Sequence, residues 1–269
     1  MKLKTGVVAV LFALVLTGVL FAGGGKQKPG GLTIKPGVLM VGMEIGYPPM
    51  EYLDADGKPV GFDVELAGLI AKKMGLEVEL VDTAWDGIFA GVDTGKYDCI
   101  ISSVTITEAR LGAHTFSKPY IGNAMSMVLL KGSNVRAKNP EELGGLGVAY
   151  QAETTADFYM ADLAAGGLKF TPYEYDKVIN CFDELKLGRV DAIVTDSLVA
   201  VDYIAPADTP FELVWQGPAD EKFGICLKKG NDALAAEINK ALDQLFAEGT
   251  MHSLSQKIFK IDMVSAALK

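Results

Sequence analysis

Ser102, Ser103 and Thr105 follow an apolar run at 97–101, and Arg110 follows them, in the stretch YDCIISSVTITEAR. Short hydroxyls, free N–H groups at a helix start and a guanidinium together make a carboxylate site. The N–H groups and the positive helix end attract an anion, and arginine can grip both its oxygens at once. Residues 97–101 read as a short buried strand that delivers the hydroxyls to its carboxyl end. Thr105-Ile106-Thr107-Glu108 fits a capping box, with Thr105 as the cap and Glu108 completing it, so Arg110 falls just inside the new helix. An ordinary N-cap with an exposed arginine is the plainer reading of the same residues.

The elements that must place these groups can be read by periodicity. A strand over 38–44 ends at the loop Gly46-Tyr47-Pro48-Pro49, and 54–57 (DADG) signals a turn. A helix over 62–74 carries Phe62, Leu66, Leu69 and Ile70 on one stripe and stops at Gly75. A strand over 77–82, a helix over 85–92 and the strand and site above complete a β-α-β-α-β-α order, which predicts a mainly parallel sheet faced by helices. Residues 116–120 read as a turn and 124–131 as a long extended segment. The alternation then restarts: strands over 147–151, 169–173, 190–196 and 211–216, with helices over 155–165 and 178–187. A second extended segment covers 224–229, and helices over 233–259 close the chain, with Leu234, Ile238, Leu242, Leu245 and Phe246 at helical spacing.

A short internal repeat ties the two halves together. GKYDCIIS at 95–102 matches GRVDAIVT at 188–195 in its glycine, base, aspartate, isoleucine and hydroxyl, which puts Asp196 in the slot of Ser103. Ligands of open α/β sheets sit at the carboxyl ends of strands. Two lobes with facing strand ends therefore define a cleft, with 102–110 on one wall and Asp196 on the other. The expected division is lobe 1 over 32–121 and 222–269 and lobe 2 over 122–221, hinged near 121–124 and 219–223. Asp196 is also a favoured N-cap for a helix starting at Ser197, and Trp85 and Tyr47 would also serve as core residues.

Composition narrows the class. Met1-Lys2-Leu3-Lys4, an apolar run over 6–22 and Gly23-Gly24-Gly25 describe a secretory signal peptide over 1–24, followed by a linker over 25–31. A membrane span is the competing reading, but the run is marginal in length for one. The expected location is the periplasm, or secreted to the cell envelope. Removing Lys2 and Lys4 leaves 23 lysines and arginines against 34 acidic residues, a net of −11. That excludes nucleic acid as a partner, which needs a basic face. Cys99, Cys181 and Cys226 lie in apolar segments without metal spacing and read as buried free thiols, with one disulfide pair left open. Two histidines, His114 and His252, are too separated for a metal or triad site, so no metal and no cofactor are expected.

The stretches GYPPMEYLDADGKPVGFDVELAGLIAKKMG, YDCIISSVTITEAR, TFSKPY, YQAETTADF and GRVDAIVTD together resemble family 3 of the bacterial extracellular solute-binding proteins, the polar amino acid group that feeds ABC importers. The resemblance spans residues 38–261. It implies a type II periplasmic-binding-protein fold, with two α/β lobes joined by a two-segment hinge around a ligand cleft. It further implies that Arg110, with Thr105 and Ser103, holds the α-carboxylate of a free L-amino acid, aided by the backbone N–H of Thr155. Asp196 and the Ser103 carbonyl would take the α-ammonium, and Tyr47 and Trp85 would line the side-chain pocket. Glu44 would sense the side chain, and Ser102, Gln151 and Thr154 complete the set. One departure is Glu153, where the family usually has glycine. The implied partner is an inner-membrane ABC permease, and the protein is expected to act as a monomer.

A buried Glu44 favours a cationic side chain, which neutralises it, and aromatic faces attract cations. The expected order is therefore arginine or lysine first, then histidine and glutamine, then apolar and acidic amino acids. Two other functions stay open: a prephenate-type (cyclohexadienyl) dehydratase on the same scaffold with Glu44 or Glu153 as general acid, and a soluble ligand carrier for a chemoreceptor.

Overall fold

The computed structural model describes residues 31–265, so the expected signal peptide and most of the expected linker fall outside the described residues. β1 (Val38–Met43) is the centre of the first lobe's parallel strands, and its Gly42 lies where a Cβ would overlap the Tyr97 ring. β2 (Tyr52–Leu53) and β3 (Pro59–Val60) form a hairpin whose turn is held by Asp54 Oδ1, which accepts from the N–H groups of Asp56 and Lys58. α1 (Phe62–Met74) buries Phe62, Leu66, Ala67, Ile70 and Ala71 and ends at Gly75 in the left-handed conformation, as the spacing predicts. β4 (Glu77–Asp82), α2 (Trp85–Thr94), β5 (Cys99–Ile100), α3 (Glu108–Ala113) and β6 (Thr115–Asn123) follow.

The second lobe holds β7 (Met125–Leu130), β8 (Gly147–Gln151), α4 (Thr155–Ala165), β9 (Thr171–Tyr175), α5 (Val178–Lys186), β10 (Ala192–Asp196), α6 (Ser197–Ile204) and β11 (Phe211–Gln216). β12 (Glu221–Leu227) returns to the first sheet, and α7 (Asp232–Ala247) and α8 (Thr250–Phe259) pack with α1 there. The first sheet has the order β4-β1-β5-β12-β6 and the second β11-β7-β10-β8-β9.

Both sheets are mixed rather than mainly parallel. β4, β1 and β5 run parallel, but β12 runs antiparallel to β5 and β6. β9, β8 and β10 run parallel, but β7 runs antiparallel to β10 and β11. The strands that break the parallel order are those by which the chain crosses between the lobes. They enter without a crossover helix, and an antiparallel neighbour needs none.

Residues 116–120 are not a turn but part of β6. β6 is an edge strand, where Pro119 costs no central ladder bond, and its register against β12 shifts beside Pro119, between Phe223 and Gly224. The expected strand at 97–101 shrinks to β5, although Asp98 N and Ile101 N on either side of it still donate to Met40 O and Gly42 O of β1. The strand expected at 169–173 lies two residues later.

The repeated aspartates have one structural job. Asp98 accepts from Met40 N in β1 at 2.8 Å, and Asp191 accepts from Gly147 N at the start of β8 at 2.7 Å. Each pins the middle one of the three parallel strands of its lobe. Cys99, Cys181 and Cys226 are buried free thiols.

Candidate functional site

The carboxyl ends of β1 and β5 in one lobe, and of β8 and β10 in the other, meet around a cavity of about 310 Å³. All the residues expected in the cleft line it: Glu44, Tyr47, Trp85, Ser102, Ser103, Thr105, Arg110, Gln151, Thr154, Thr155 and Asp196. Glu51 lines it as well and went unnoticed in the sequence. The signal was there: an acid inside the otherwise apolar run around Pro49, brought opposite Tyr47 by a tight loop.

Thr105 does not cap the helix. Thr107 is the N-cap of α3, and its side chain accepts from Arg110 N. Thr105 and Ile106 are held extended against β12, through a bridge to Phe223 and a bond from Ile106 N to Lys222 O, so the helix starts at Glu108. Thr105 keeps a place in the site through its carbonyl, which accepts from Arg110 Nη1 at 3.0 Å. The Arg110 guanidinium lies 5.4 Å from the Trp85 ring and 5.2 Å from the Phe89 ring. None of the ion pairs among the described residues includes it. Burial pulls its pKa down from the ordinary value.

Glu153 stands in the left-handed region with φ of 60°. That region suits glycine, which has no Cβ to clash. Its carbonyl accepts from Trp85 Nε1 at 3.1 Å and from Arg110 Nη2 at 3.4 Å, while its side chain is exposed. The departure from glycine thus leaves the turn intact, and the backbone of Glu153 joins the lobes. Thr154 is the N-cap of α4, accepting from Asp157 N and donating to Gln151 O, and Thr155 opens that helix.

Asp196 holds the N-cap position of α6 but makes no side-chain cap bond. Its carboxylate is taken instead by Tyr47 Oη at 2.6 Å and Asn123 Nδ2 at 2.8 Å. Asn123 also donates to Glu221 Oε2 at 2.6 Å and faces Glu221 across the β6–β12 ladder, so Asp196 is bonded to one strand that crosses between the lobes and, through Asn123, linked to the other. Burial raises the Asp196 pKa, and the bonds from Tyr47 and Asn123 oppose it. Burial likewise raises Glu221, to about 7.

Glu44 is 4% exposed. Gln151 Nε2 donates to its Oε2 at 2.7 Å, whereas Oε1 has no partner among the described residues. Burial pushes its pKa to about 7, against the Gln151 bond and the Lys177 charge. Three carboxyl groups and one guanidinium therefore share the cavity wall. Such a wall suits a ligand carrying one negative and at least one positive charge.

Two facing α/β lobes with a charged cavity at their strand ends define a two-lobed solute-binding protein. The chain belongs to the bacterial extracellular solute-binding proteins, family 3, whose profile matches residues 39–261. It is 32% identical over 227 residues to the L-cystine-binding protein TcyJ of Escherichia coli (strain K12), covering 84% of each chain. Its fold resembles that of an ancestral arginine-binding protein bound to arginine, with a TM-score of 0.79 and 38% identity over 83% of this chain and 98% of that one. It also resembles the ancestral amino acid-binding protein AncCDT-1, a precursor of cyclohexadienyl dehydratase, with a TM-score of 0.75 and 34% identity over 83% and 95% of the two chains.

Proposed function

We propose that this chain binds a free L-amino acid, preferably arginine or lysine, between its lobes and delivers it to an ABC permease in the inner membrane. The observation that carries the reading is Arg110, a guanidinium facing the cavity outside every ion pair among the described residues, opposite the carboxyl of Asp196. In this reading Arg110, Ser103, Thr105 and the N–H of Thr155 take the α-carboxylate, and Asp196 takes the α-ammonium. The orphaned Glu44 Oε1 takes a cationic side chain, with Tyr47 and Trp85 covering its stem, while Ser102, Gln151 and Thr154 brace the wall.

The lobes divide at 121/122 and 221/222, and closure is a hinge motion there. The protein works as a periplasmic or cell-envelope monomer. Relatives named for cystine and arginine support an amino acid ligand. Calorimetric titration with the twenty amino acids, on protein unfolded and refolded to remove carried ligand, tests this. Glutamate or leucine binding tighter than arginine overturns the cationic preference, and no binding by any amino acid overturns the whole reading.

A dehydratase remains the second reading, because a carboxyl near pKa 7 suits a general acid and AncCDT-1 shares the fold. Product formation from prephenate decides between them.

A further inference from the structure

Beneath the ligand-facing serines lies a second pair of acids that the proposed binding step does not use. Glu51 is 1% exposed and Asp63, in the first turn of α1, is fully buried. Asp63 Oδ2 accepts from Ser103 N at 2.7 Å, from Ser103 Oγ at 3.3 Å and from Tyr120 Oη at 2.9 Å. Glu51 Oε1 accepts from Ser102 Oγ at 2.6 Å, and that same oxygen of Ser102 accepts from Glu44 N at 3.0 Å. Every bond of the pair thus ends on the two serines, on Glu44 through Ser102, or on Tyr120.

The other two oxygens, Glu51 Oε2 and Asp63 Oδ1, are buried and have no partner among the described residues. The two carboxyl groups lie within hydrogen-bonding reach of each other. The other titratable groups that face them are Glu44, Tyr47 and Tyr120, none of them a cation. Two buried carboxylates side by side cannot both stay ionised, and a single proton between them satisfies both orphans.

We infer that Glu51 and Asp63 share one proton and act as positioning residues, a carboxyl–carboxylate pair that fixes Ser102 and Ser103 for the ligand. The two acids have different parts. Asp63 is the anion: it takes three donors and sits at the positive end of α1. Glu51 has one donor and keeps the proton. Burial raises both groups above their ordinary range, in keeping with this division. Ser103 needs such an anchor, because its φ of 50° is a conformation that a non-glycine residue seldom holds unaided. The inference rests on the ligand-binding reading above only for its consequence on affinity. The shared proton stands apart from that reading.

Glu51→Gln is the isosteric copy of a protonated glutamate, since its carbonyl accepts from Ser102 and its amide donates to Asp63. Glu51→Ala removes both bonds. The sign of the pH effect follows from linkage. A raised folded pKa gives stability that is fully present below the unfolded value of 4.5 and is lost as pH rises through the folded value. The wild-type Tm therefore falls with rising pH relative to that of Glu51→Gln, and the variant lacks this slope. In the titration with arginine at one pH, Glu51→Ala binds about tenfold more weakly than Glu51→Gln, the cost of leaving buried groups unsatisfied.

Combining Glu51→Gln with Asp63→Asn sets amide N–H against amide N–H or turns one donor on Ser103, so the double variant falls below the sum of the single variants in Tm. Parallel Tm slopes for wild type and Glu51→Gln, or an additive double variant, overturn the shared proton. Glu51→Gln binding as weakly as Glu51→Ala overturns the positioning role. A wild type that binds no amino acid strikes the functional reading alone, and the Tm comparison still decides the proton.

Discussion

Tyr47 Oη donates to Asp196 Oδ2 at 2.6 Å, joining the loop after β1 in one lobe to the end of β10 in the other. The same aspartate is held by Asn123, which also grips Glu221 on the second crossing strand. One carboxyl group thus touches the cavity, the opposite lobe and one crossing strand, and is linked to the other through Asn123. In the proposed function, a ligand that bonds to Asp196 acts on the two strands about which the lobes close.

Asp196→Asn removes the acceptor proposed for the α-ammonium while keeping the side chain's size. Losing one partner of a desolvated charge pair costs about 2–5 kcal/mol, roughly 30-fold or more in affinity. The loss should appear for every ligand with a free α-ammonium and vanish for the matching deaminated acid. Equal losses for both, measured by calorimetry, would show that Asp196 does not meet the ammonium.

Arg110→Ala should abolish binding, and Arg110→Lys should not restore it. A lysine offers a point charge in place of a planar fork, and it would lose the bond to the Thr105 carbonyl and the stacking on Trp85 and Phe89. A titration that places Arg110→Ala within a few-fold of wild type would move the carboxylate site elsewhere.

Glu44 sets a pH dependence with a definite sign. Its pKa is raised to about 7, so its contribution to stability is present below the unfolded value of 4.5 and lost as pH rises through about 7. A cationic ligand reverses this, because it needs the ionised form. Affinity for arginine should rise as pH passes upward through about 7, while affinity for glutamine should change little. Glu44→Gln should flatten the arginine profile and weaken arginine more than glutamine. An arginine affinity that falls over the same interval would exclude the pairing.

Glu153→Gly should raise stability. A left-handed backbone costs a non-glycine residue about 1–2 kcal/mol, and glycine's greater freedom in the unfolded chain takes back about 0.5–1 kcal/mol. The net gain is therefore at most about 1.5 kcal/mol, readable in chemical denaturation. A loss of stability would mean that the Glu153 side chain contributes more than its exposure implies.

Much of this protein is written locally in its sequence. α1 and its stop at Gly75, β4, α4 and β11 appear at the expected residues, because apolar spacing, glycine and capping hydroxyls act over a few neighbours. The match of 95–102 to 188–195 located both strand ends, because the repeated aspartate pins the same strand in each lobe. Of the residues around the cavity, Ser102, Ser103, Thr105, Arg110 and Asp196 were legible as strand ends and helix starts, whereas Glu44, Tyr47, Trp85, Gln151, Thr154 and Thr155 came from the resemblance to the family.

Contacts distant in the chain decided the rest. The mixed strand order came from crossings whose direction no local pattern records. Thr105 lost its cap to Thr107 because β12, more than a hundred residues on, holds it extended. Asp196 looked like a cap, but Tyr47 and Asn123 reach it first. In the sequence Glu51 and Asp63 are merely two acids on either side of a turn. Only folding buries them together, and that burial, which a sequence does not show, raises the pKa of both.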